Sequence, residues 1–408
     1  MEEVKESCSS SDKRLRLFES PHVSLTVLSA QGNRIQTAEY GTLVDMESGC
    51  WAAVLGHAHP EILATMSSQS VKSMHLHQFF TTEHSACLTQ EVTDAAGLPC
   101  DYDGTYLSSG SEAVSMAVWM AEKLTQRRKK LCTTLSYLGT SSELRMPRDP
   151  KTWVDLNVTE CIECDKKQDC ESCGKFKNVD FMSCACFVFE AGNAGGRVLC
   201  PPEKLISYLT KRIRSTGGVV VSNEVTTGFG RTGRWFGFQY YDCLQGESHS
   251  PEIIAMGKGL GNGYPISGVL IRSQLGKKMT DLKLRYVQSH IDDPLGCAVA
   301  RKVIEVMKRG KLVERGSRIG EYLRQKLQKL KTCVVGVKEI RGRGMMNVID
   351  LEADYMAEQV FEALLNKGYF TGYSPLFNFI HCYAPLTLGE EEVDGFVLSL
   401  KQILEEKK

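Results

Sequence analysis

Short, almost wholly apolar runs alternate with a helical pattern through the middle of the chain. Residues 185–189 and 218–222 are mostly apolar, and strands buried on both faces of a parallel sheet are typical of such runs. Between them, residues 202–215 repeat apolar positions at helical spacing. Strand, helix and strand in this order predict right-handed βαβ units, with ligands bound at the carboxyl ends of the strands.

The same pattern predicts further elements along the chain. Alternating β-branched residues predict short strands at residues 23–28 and 41–45, whereas the polar first twenty residues are predicted to be mobile. Amphipathic spacing predicts helices that begin at Pro60 and Glu112 or span residues 295–308, 318–330 and 390–406. Alternating strands from residue 340 and the closing helix indicate a small α+β domain.

Composition narrows the class of protein. The 408 residues suffice for one large and one small domain. Lysine plus arginine equals aspartate plus glutamate, 49 each, so no basic field recruits nucleic acid or an anionic membrane. We expect no transmembrane helix, because charges interrupt the apolar runs, and no signal peptide, because the start lacks an apolar core. Sixteen cysteines without such a signal indicate reduced thiols in a cytoplasmic protein.

One lysine stands out as candidate chemistry. Lys258 follows the apolar run 253–256 and lies among four glycines, Gly257, Gly259, Gly261 and Gly263. Glycine permits unusual backbone turns and close approach of a ligand. A lysine with a near-neutral pKa in a partly desolvated pocket is a nucleophile that can form a Schiff base. Alone the pattern is weak, since most lysines beside glycines lie in surface loops.

A second candidate is the turn S-S-G-S at residues 108–111, which precedes the helix predicted from Glu112. Free backbone N–H groups and the helix dipole make such a turn a binding site for phosphate. An ordinary serine N-cap explains the same residues equally well.

These stretches, together with V-V-V-S-N-E-V-T-T-G-F-G-R-T-G-R-W at residues 219–235, resemble class III aminotransferases, which use pyridoxal 5'-phosphate (PLP). The resemblance covers roughly residues 40 to 400. It implies the fold type I α/β architecture, with a large domain of mostly parallel sheet flanked by helices and a smaller α+β domain. Residues 1–60 would belong with the small domain, residues 61–300 would form the PLP-binding domain, and residues 301–408 would complete the small domain.

The resemblance also implies roles for individual residues. Lys258 would hold PLP as a Schiff base and move the proton as general base and acid. The phosphate would be held by Gly110 and Ser111 and, across the interface of a homodimer, by Ser289 of the other subunit, and Ser109 would also contribute to cofactor binding. Tyr137 falls where an aromatic residue stacks on the PLP ring, although a core tyrosine fits the sequence as well. The remaining implied site residues are Glu190, Asn223 and Thr226.

Three positions depart from the family pattern. Asn223 replaces the aspartate that keeps the pyridine nitrogen protonated, and Thr226 replaces a common glutamine. Because a neutral amide supplies no charge, we expect a weaker electron sink, with slow transamination or more proton exchange at the substrate carbon. His381 replaces the arginine that binds the substrate carboxylate; Arg341 or Arg343 are candidates to bind it instead.

The implied reaction is transfer of an amino group between an amino compound and a keto acid or aldehyde. Two alternatives stay open at this point. The first is a PLP-dependent racemase or epimerase, which Asn223 in place of the usual aspartate would favour. The second is a non-catalytic PLP-fold protein with a metal-binding regulatory loop.

A cysteine cluster stands apart from this pattern. Cys161, Cys164, Cys170 and Cys173 form two C-x-x-C pairs within thirteen positions, inside an insertion at about residues 155–178 that the family pattern lacks. Four thiolates suffice for a closed tetrahedral zinc site. The spacer between the pairs is shorter than in ordinary zinc ribbons, so an iron–sulfur cluster and free thiols stay open as alternatives.

Overall fold

The computed structural model describes residues 23, 25–134, 136–162, 164, 169–193 and 195–406. The first twenty residues, predicted to be mobile, lie outside the described part. The helices are α1 (Ser48–Trp51), α2 (Pro60–Lys72), α3 (Glu83–Ala96), α4 (Gly110–Thr125), α5 (Thr159–Ile162), α6 (Cys170–Cys173), α7 (Glu203–Ser215), α8 (Ser273–Asp281), α9 (Pro294–Arg309), α10 (Leu312–Lys331), α11 (Ala357–Asn366) and α12 (Glu390–Glu406). Single 3₁₀ turns span Phe181–Ser183, Gly237–Tyr240, Asp242–Leu244 and Lys258–Gly261.

The strands form three sheets. The N-terminal sheet contains β1 (Val27–Gln31), β2 (Arg34–Thr37) and β3 (Gly41–Asp45). The central sheet contains β4 (Tyr102–Leu107), β5 (Lys129–Thr133), β6 (Trp153–Leu156), β7 (Cys184–Phe189), β8 (Val219–Asn223), β9 (Ile253–Met256) and β10 (Ser267–Arg272). The third sheet contains β11 (Val337–Arg343), β12 (Met346–Leu351), β14 (Gly372–Ser374) and β15 (Phe379–Cys382), and β13 (Tyr369–Phe370) joins the N-terminal sheet.

The central sheet has the strand order β4-β10-β9-β8-β7-β5-β6. Neighbours from β6 to β9 pair in parallel, whereas β10 runs antiparallel to both β9 and β4. The predicted βαβ unit is present, since α7 connects β7 to β8. Parallel strands place the residues that follow β7, β8 and β9 at one edge of the sheet, and the candidate site lies there.

Both faces of this sheet are covered, which explains the apolar runs. Along β7, Cys186 and Val188 pack into a cluster with α4, whereas Phe187 and Phe189 pack into the larger core that includes α7. Successive side chains of a strand point to opposite faces, so a strand covered on both sides must be apolar throughout. The α/β fold class predicted from these runs is confirmed.

The observed bounds of several strands and helices differ from the predicted ones. The strand predicted at residues 23–28 is Val27–Gln31. Arg34–Thr37 was missed because it is short, is fully buried only at Thr37, and carries no clear apolar alternation. The helix predicted from Glu112 begins at Gly110, and the helix predicted from residue 318 begins at Leu312. The strand β13, from the C-terminal part of the chain, pairs in parallel with β3 and so joins that part to the N-terminal sheet. The proposed division at residues 60 and 300 stays a prediction.

Candidate active site

Lys258 follows β9 after one residue, Gly257, and its backbone is strained. Its φ is 44°, in the left-handed region that non-glycine residues rarely occupy. The next residue, Gly259, leaves no room for a side chain, because a Cβ there would lie 2.9 Å from Phe229 Cβ and 3.0 Å from Val54 Cγ1. Strain of this kind persists where the surroundings hold it and is common at functional sites.

The Lys258 amine occupies a site that favours its neutral form. Its Nζ donates a hydrogen bond to Thr226 Oγ1 at 2.8 Å and lies 4.1 Å from the centroid of the Trp51 ring. Burial lowers the pKa of Lys258 to about 8; the charge of Arg231 also lowers it, and Cys50 opposes them. A lysine with such a pKa is a nucleophile and a proton acceptor near neutral pH.

Beyond Lys258, three predicted site residues meet at the ends of neighbouring strands. Asn223 ends β8, and its Nδ2 donates to Glu190 Oε1 and to the Tyr137 carbonyl, both at 3.2 Å. The Tyr137 N–H donates to Glu190 Oε2 at 3.2 Å. The Tyr137 side chain is 47% exposed, so it is not a core tyrosine. This end of the site therefore presents an exposed aromatic ring beside a carboxylate and an amide.

The turn at residues 108–111 has both predicted features. Ser109 is the N-cap of α4: its Oγ accepts from the Glu112 N–H and donates to Glu112 Oε2. Gly110 is tightly enclosed, since a Cβ there would lie 2.6 Å from Val225 Cγ1. Ser111 Oγ accepts from the Thr140 N–H at 3.0 Å. The backbone at Gly110 and Ser111 thus forms the first turn of a sixteen-residue helix.

The same turn approaches the Lys258 turn closely. A Cβ on Gly257 would lie 3.5 Å from Gly110 Cα and 3.6 Å from Ser267 Cβ. Ser267 Oγ is buried and has no hydrogen-bond partner among the described residues. One small region is therefore bordered by the N-terminus of α4, the hydroxyl of Ser267 and the turn that carries the reactive amine of Lys258. A cofactor with a phosphate at one end and a carbonyl carbon at the other fits these groups.

The structure does not bring Ser289 to this site within one chain. Ser289 lies exposed in the segment before α9, and no hydrogen bond joins it to the Lys258 site in the described residues. Its contribution across a subunit interface stays a prediction.

On the side of Trp51, the structure adds a residue that sequence reasoning missed. Glu47 is buried; its Oε2 accepts from Trp51 Nε1 at 2.7 Å, and its Oε1 pairs with His381 Nδ1 at 2.9 Å. The sequence around Glu47 carries no signal of this role, because its partner His381 lies more than three hundred positions away. Thr140 was missed for the same kind of reason.

The two arginines considered for a substrate carboxylate are otherwise engaged. Arg341 forms a two-pronged ion pair with Asp350 and a further one with Glu339. Arg343 donates to the Ala191 carbonyl and stacks on Tyr240, with its guanidinium carbon 4.4 Å from the ring centroid. The ion pairs of Arg341 leave it little capacity for a substrate carboxylate.

The four cysteines of the insertion line one cavity of about 20 Å³, a volume sufficient for a single ion or water. None of the four forms a disulfide with another described residue. Lys204 Nζ donates to Cys164 Sγ at 3.3 Å, and Lys175 also borders the cavity. The four sulfurs lie farther from one another than the ligand atoms of His75, His290 and Asp293 do. Among the described residues, that trio alone has ligand atoms that all lie within 4.8 Å of one another.

Comparison with known proteins identifies the family of this chain. The family model described as aminotransferase class-III matches residues 18–144 and 149–404, so the chain belongs to the class III aminotransferase family. It is an enzyme of that family, for which PLP is the expected cofactor, and the comparisons favour amino-group transfer over the racemase and non-catalytic alternatives. No helix in the described ranges is both long and apolar enough to cross a membrane.

The chain is similar to several named relatives. It is 25% identical over 384 residues to the acetylornithine aminotransferase of Methanosarcina mazei, covering 93% of this chain and 91% of that protein. It is 26% identical to ethanolamine-phosphate phospho-lyase homolog 1 of Caenorhabditis elegans, covering 86% and 82%. Its fold resembles an S-selective transaminase from Arthrobacter sp., with a TM-score of 0.86, 21% identity and coverage of 97% and 96%.

Proposed function

We propose that Lys258 is the residue that holds PLP and moves the proton during amino-group transfer from an amino compound to a carbonyl acceptor. The observation that carries this proposal is the Lys258 amine itself, with a pKa of about 8 and a hydrogen bond to Thr226. When bound, PLP supplies the electron sink for the reaction. Near neutral pH, Lys258 Nζ can take a proton and return it, and Thr226 orients the amine.

The other residues would position the cofactor. Backbone N–H groups at Gly110 and Ser111, with the dipole of α4, would hold a phosphate. The half-exposed ring of Tyr137 would cover one face of the site. Asn223 is bonded to Glu190, so the charge at this end of the site comes from Glu190 and not from Asn223 itself.

Replacing Lys258 with alanine tests the assignment. We expect Lys258→Ala to lose the visible absorbance of the lysine-linked cofactor and to slow amino transfer by at least about a hundredfold, the lower end of a positioned acid–base residue. Lys283→Ala, which changes an exposed lysine, is the control and should keep both. A wild-type protein that stays colourless with added PLP would contradict the proposal.

A homodimer is the second part of the proposal. Val287, two residues before Ser289, is 77% exposed. Phe79 and Phe80 are 85% and 65% exposed and follow His75, whose ring centroid lies 4.7 Å from that of His290. Exposed apolar patches of this kind mark contact surfaces. A two-fold dimer that covers them would place Ser289 beside the other subunit's phosphate turn, as the family resemblance implies. Sedimentation analysis should show that the wild type is a dimer and that the double variant Phe79→Ser/Phe80→Ser dissociates into monomers at higher concentration. A monomeric wild type would contradict this arrangement.

We also propose that Cys161, Cys164, Cys170 and Cys173 bind one structural zinc ion. The four thiols line a single cavity. A dication held by four thiolates has a net charge of −2, which the ammonium groups of the two bordering lysines, Lys175 and Lys204, would offset. The second pair is followed by Gly174 with a φ of 66°, which turns the chain sharply after Cys173. A closed four-thiolate site leaves no position open for substrate, so its role would be structural.

Elemental analysis tests the metal site. We expect about one zinc per chain in the wild type and in Cys333→Ser, an exposed cysteine elsewhere, and loss of zinc in Cys173→Ser. Burial raises the pKa of Cys161 and Cys170, and metal binding must displace those protons, so zinc affinity should fall as the solution becomes more acidic. Bound iron with visible absorbance would instead indicate an iron–sulfur cluster, and four freely titratable thiols without metal would contradict the site.

A further inference from the structure

Two histidines and an aspartate meet outside the residues assigned to the cofactor, and we call them the His75 cluster: His75, His290 and Asp293. His75 Nδ1 lies 2.7 Å from one carboxylate oxygen of Asp293, and His290 Nδ1 is bonded to the other oxygen. The two imidazole rings lie beside each other, with a centroid distance of 4.7 Å. His75 is more than two hundred positions from the other two residues, so the fold and not the local sequence brings the group together.

The carboxylate of Asp293 does not serve the helix that it precedes. Asp293 is the N-cap of α9, where an aspartate usually accepts a hydrogen bond from a backbone N–H of the first turn. Here the side chain makes no such bond and instead contacts the two histidines. The backbone is held next to it, because Asp292 Oδ1 accepts from the Tyr106 N–H at 2.8 Å. Both carboxylate oxygens of Asp293 therefore face imidazole nitrogens.

This set of ligand atoms is one that transition-metal ions prefer. Two imidazoles and one carboxylate suit Zn(II), Fe(II) and related divalent ions, with further coordination positions left open. Bonds of about 2.0–2.2 Å separate the ligand atoms of one ion by roughly 3–4.4 Å, so small side-chain shifts bring all three residues of the cluster onto one ion. The two histidine side chains are about half exposed, and a cavity of about 320 Å³ borders His290 and Asp293. Water thus reaches the positions that the protein leaves open.

We propose that the His75 cluster binds one divalent transition-metal ion. The ion would tie residues 73–82, which connect α2 to α3, to the segment that leads into α9. Residues 73–82 and 284–293 contain neither helix nor strand, so a shared ion would supply a link that backbone pairing does not provide. This site is separate from the four cysteines, and the inference does not depend on the function of Lys258.

A short chain of hydrogen bonds connects the cluster to the phosphate turn. The His290 N–H donates to Gln288 Oε1 at 2.7 Å, and Gln288 Nε2 donates to Glu112 Oε1 at 2.8 Å. Glu112 in turn accepts a hydrogen bond from Ser109 Oγ. An ion on His290 would therefore stabilise the chain on both sides of Ser289.

Calorimetry with nickel chloride on the untagged full chain tests the site, because imidazole suits Ni(II) whereas thiolates favour softer ions. The parent chain for this test is Cys170→Ser/Cys173→Ser, which lacks the second candidate metal site. We expect it to bind one Ni(II) per chain. Adding His75→Ala should lower the affinity at least about a hundredfold, since even the outer partners of metal ligands contribute roughly 10–100-fold. His249→Ala, which changes an exposed histidine elsewhere, is the matched control and should leave the affinity unchanged.

A conservative variant separates metal binding from folding. Asp293→Asn keeps the size of the side chain and a good helix N-cap but removes the charge, so it should also weaken Ni(II) binding. Added Ni(II) should raise the melting temperature of the parent chain and of His249→Ala, but not of His75→Ala or Asp293→Asn.

Two results would overturn the inference: no bound Ni(II), or binding that His75→Ala and Asp293→Asn leave unchanged. Either would show that the cluster holds only its own hydrogen bonds. If Cys170→Ser/Cys173→Ser does not fold, the same variants are compared in the wild type. There, His75→Ala should reduce the bound Ni(II) by one ion per chain, and an unchanged count would contradict the site.

Discussion

Lys258 has a near-neutral pKa because its amine is desolvated, and this has a measurable consequence. In the protein without cofactor, the reaction of Lys258 with an amine-selective reagent should rise with pH, with a midpoint near 8, because the neutral amine is the reactive form. An exposed lysine titrates at about 10.4 instead. Mass spectrometry of the labelled peptide measures the profile. A midpoint near that of exposed lysines would show that the site does not desolvate the amine.

Asn223 has a role that the sequence did not show. That the amide acts on the cofactor ring stays a prediction; in the structure its Nδ2 donates to Glu190 and to the Tyr137 carbonyl. The adjacent Glu224 does not substitute for the missing aspartate, since it is buried and bonded to Ser222 and Thr227. Asn223 therefore holds Glu190 in place.

Asn223→Asp should consequently place two carboxylates against each other. We expect it to destabilise the cofactor-free protein by about 1–3 kcal/mol near neutral pH. The like-charge neighbour raises the folded-state pKa of this pair, so the loss of stability should shrink as pH falls and one carboxyl becomes protonated. Melting temperatures at several pH values check this, with Asn223→Ala as an uncharged control whose loss should not depend on pH in this way. A pH-independent loss in Asn223→Asp would mean that Glu190 does not face this side chain.

With PLP bound, the same substitution tests the earlier expectation of a weakened electron sink. Asn223→Asp should increase half-transamination relative to proton exchange at the substrate carbon, because an additional anion favours a protonated ring nitrogen. Measuring both rates on one substrate decides the matter. An unchanged ratio would indicate that Glu190 already supplies the charge.

The first turn of α4 is the proposed binding site for the cofactor phosphate, and at Gly110 it leaves space for nothing larger than hydrogen. Gly110→Ala would push a methyl group against Val225, so we expect at least about a tenfold loss of PLP affinity, equivalent to roughly 1.4 kcal/mol. Equilibrium dialysis of the cofactor measures it. Gly389→Ala, where a Cβ meets only the end of Glu392 at 3.6 Å, is the matched control and should bind PLP normally. Normal affinity in Gly110→Ala would exclude this turn from the phosphate site.

The buried elements were predictable from the sequence, and the exposed ones were not. The sequence predicts the strand in residues 185–189 and the helix 390–406, because burial requires apolar residues at several of their positions. β1 is mostly exposed and β2 is only partly buried, and both are held by backbone pairing with neighbouring strands, which leaves no apolar pattern. In the candidate site, Lys258 and Gly110 could be singled out because they lie in motifs that resemble a known family. Glu47 could not, because its partner His381 lies far away in the sequence.

The prediction that Ser289 of one subunit completes the active site of the other can be tested by mixing two inactive variants. Lys258→Ala removes the reactive amine of its own chain, and Ser289→Glu would repel the phosphate in the other chain's site. Random mixing of the two should give about half hybrid dimers, each with one intact site, and so about a quarter of wild-type activity. Each variant alone should stay nearly inactive. No recovery on mixing would show that each site is complete within one chain.

The antiparallel strand β10 also determines when the site can form during synthesis. β4, which leads into the phosphate turn, pairs only with β10 in the central sheet. At a translation rate of about 5–20 residues per second, roughly 10–30 seconds separate the emergence of these two strands from the ribosome. Until then the edge of β4 is unpaired and open to other chains. Nascent chains that stall before residue 267 should therefore depend on chaperones that cover this edge, even though the strands from β5 to β9 are already complete.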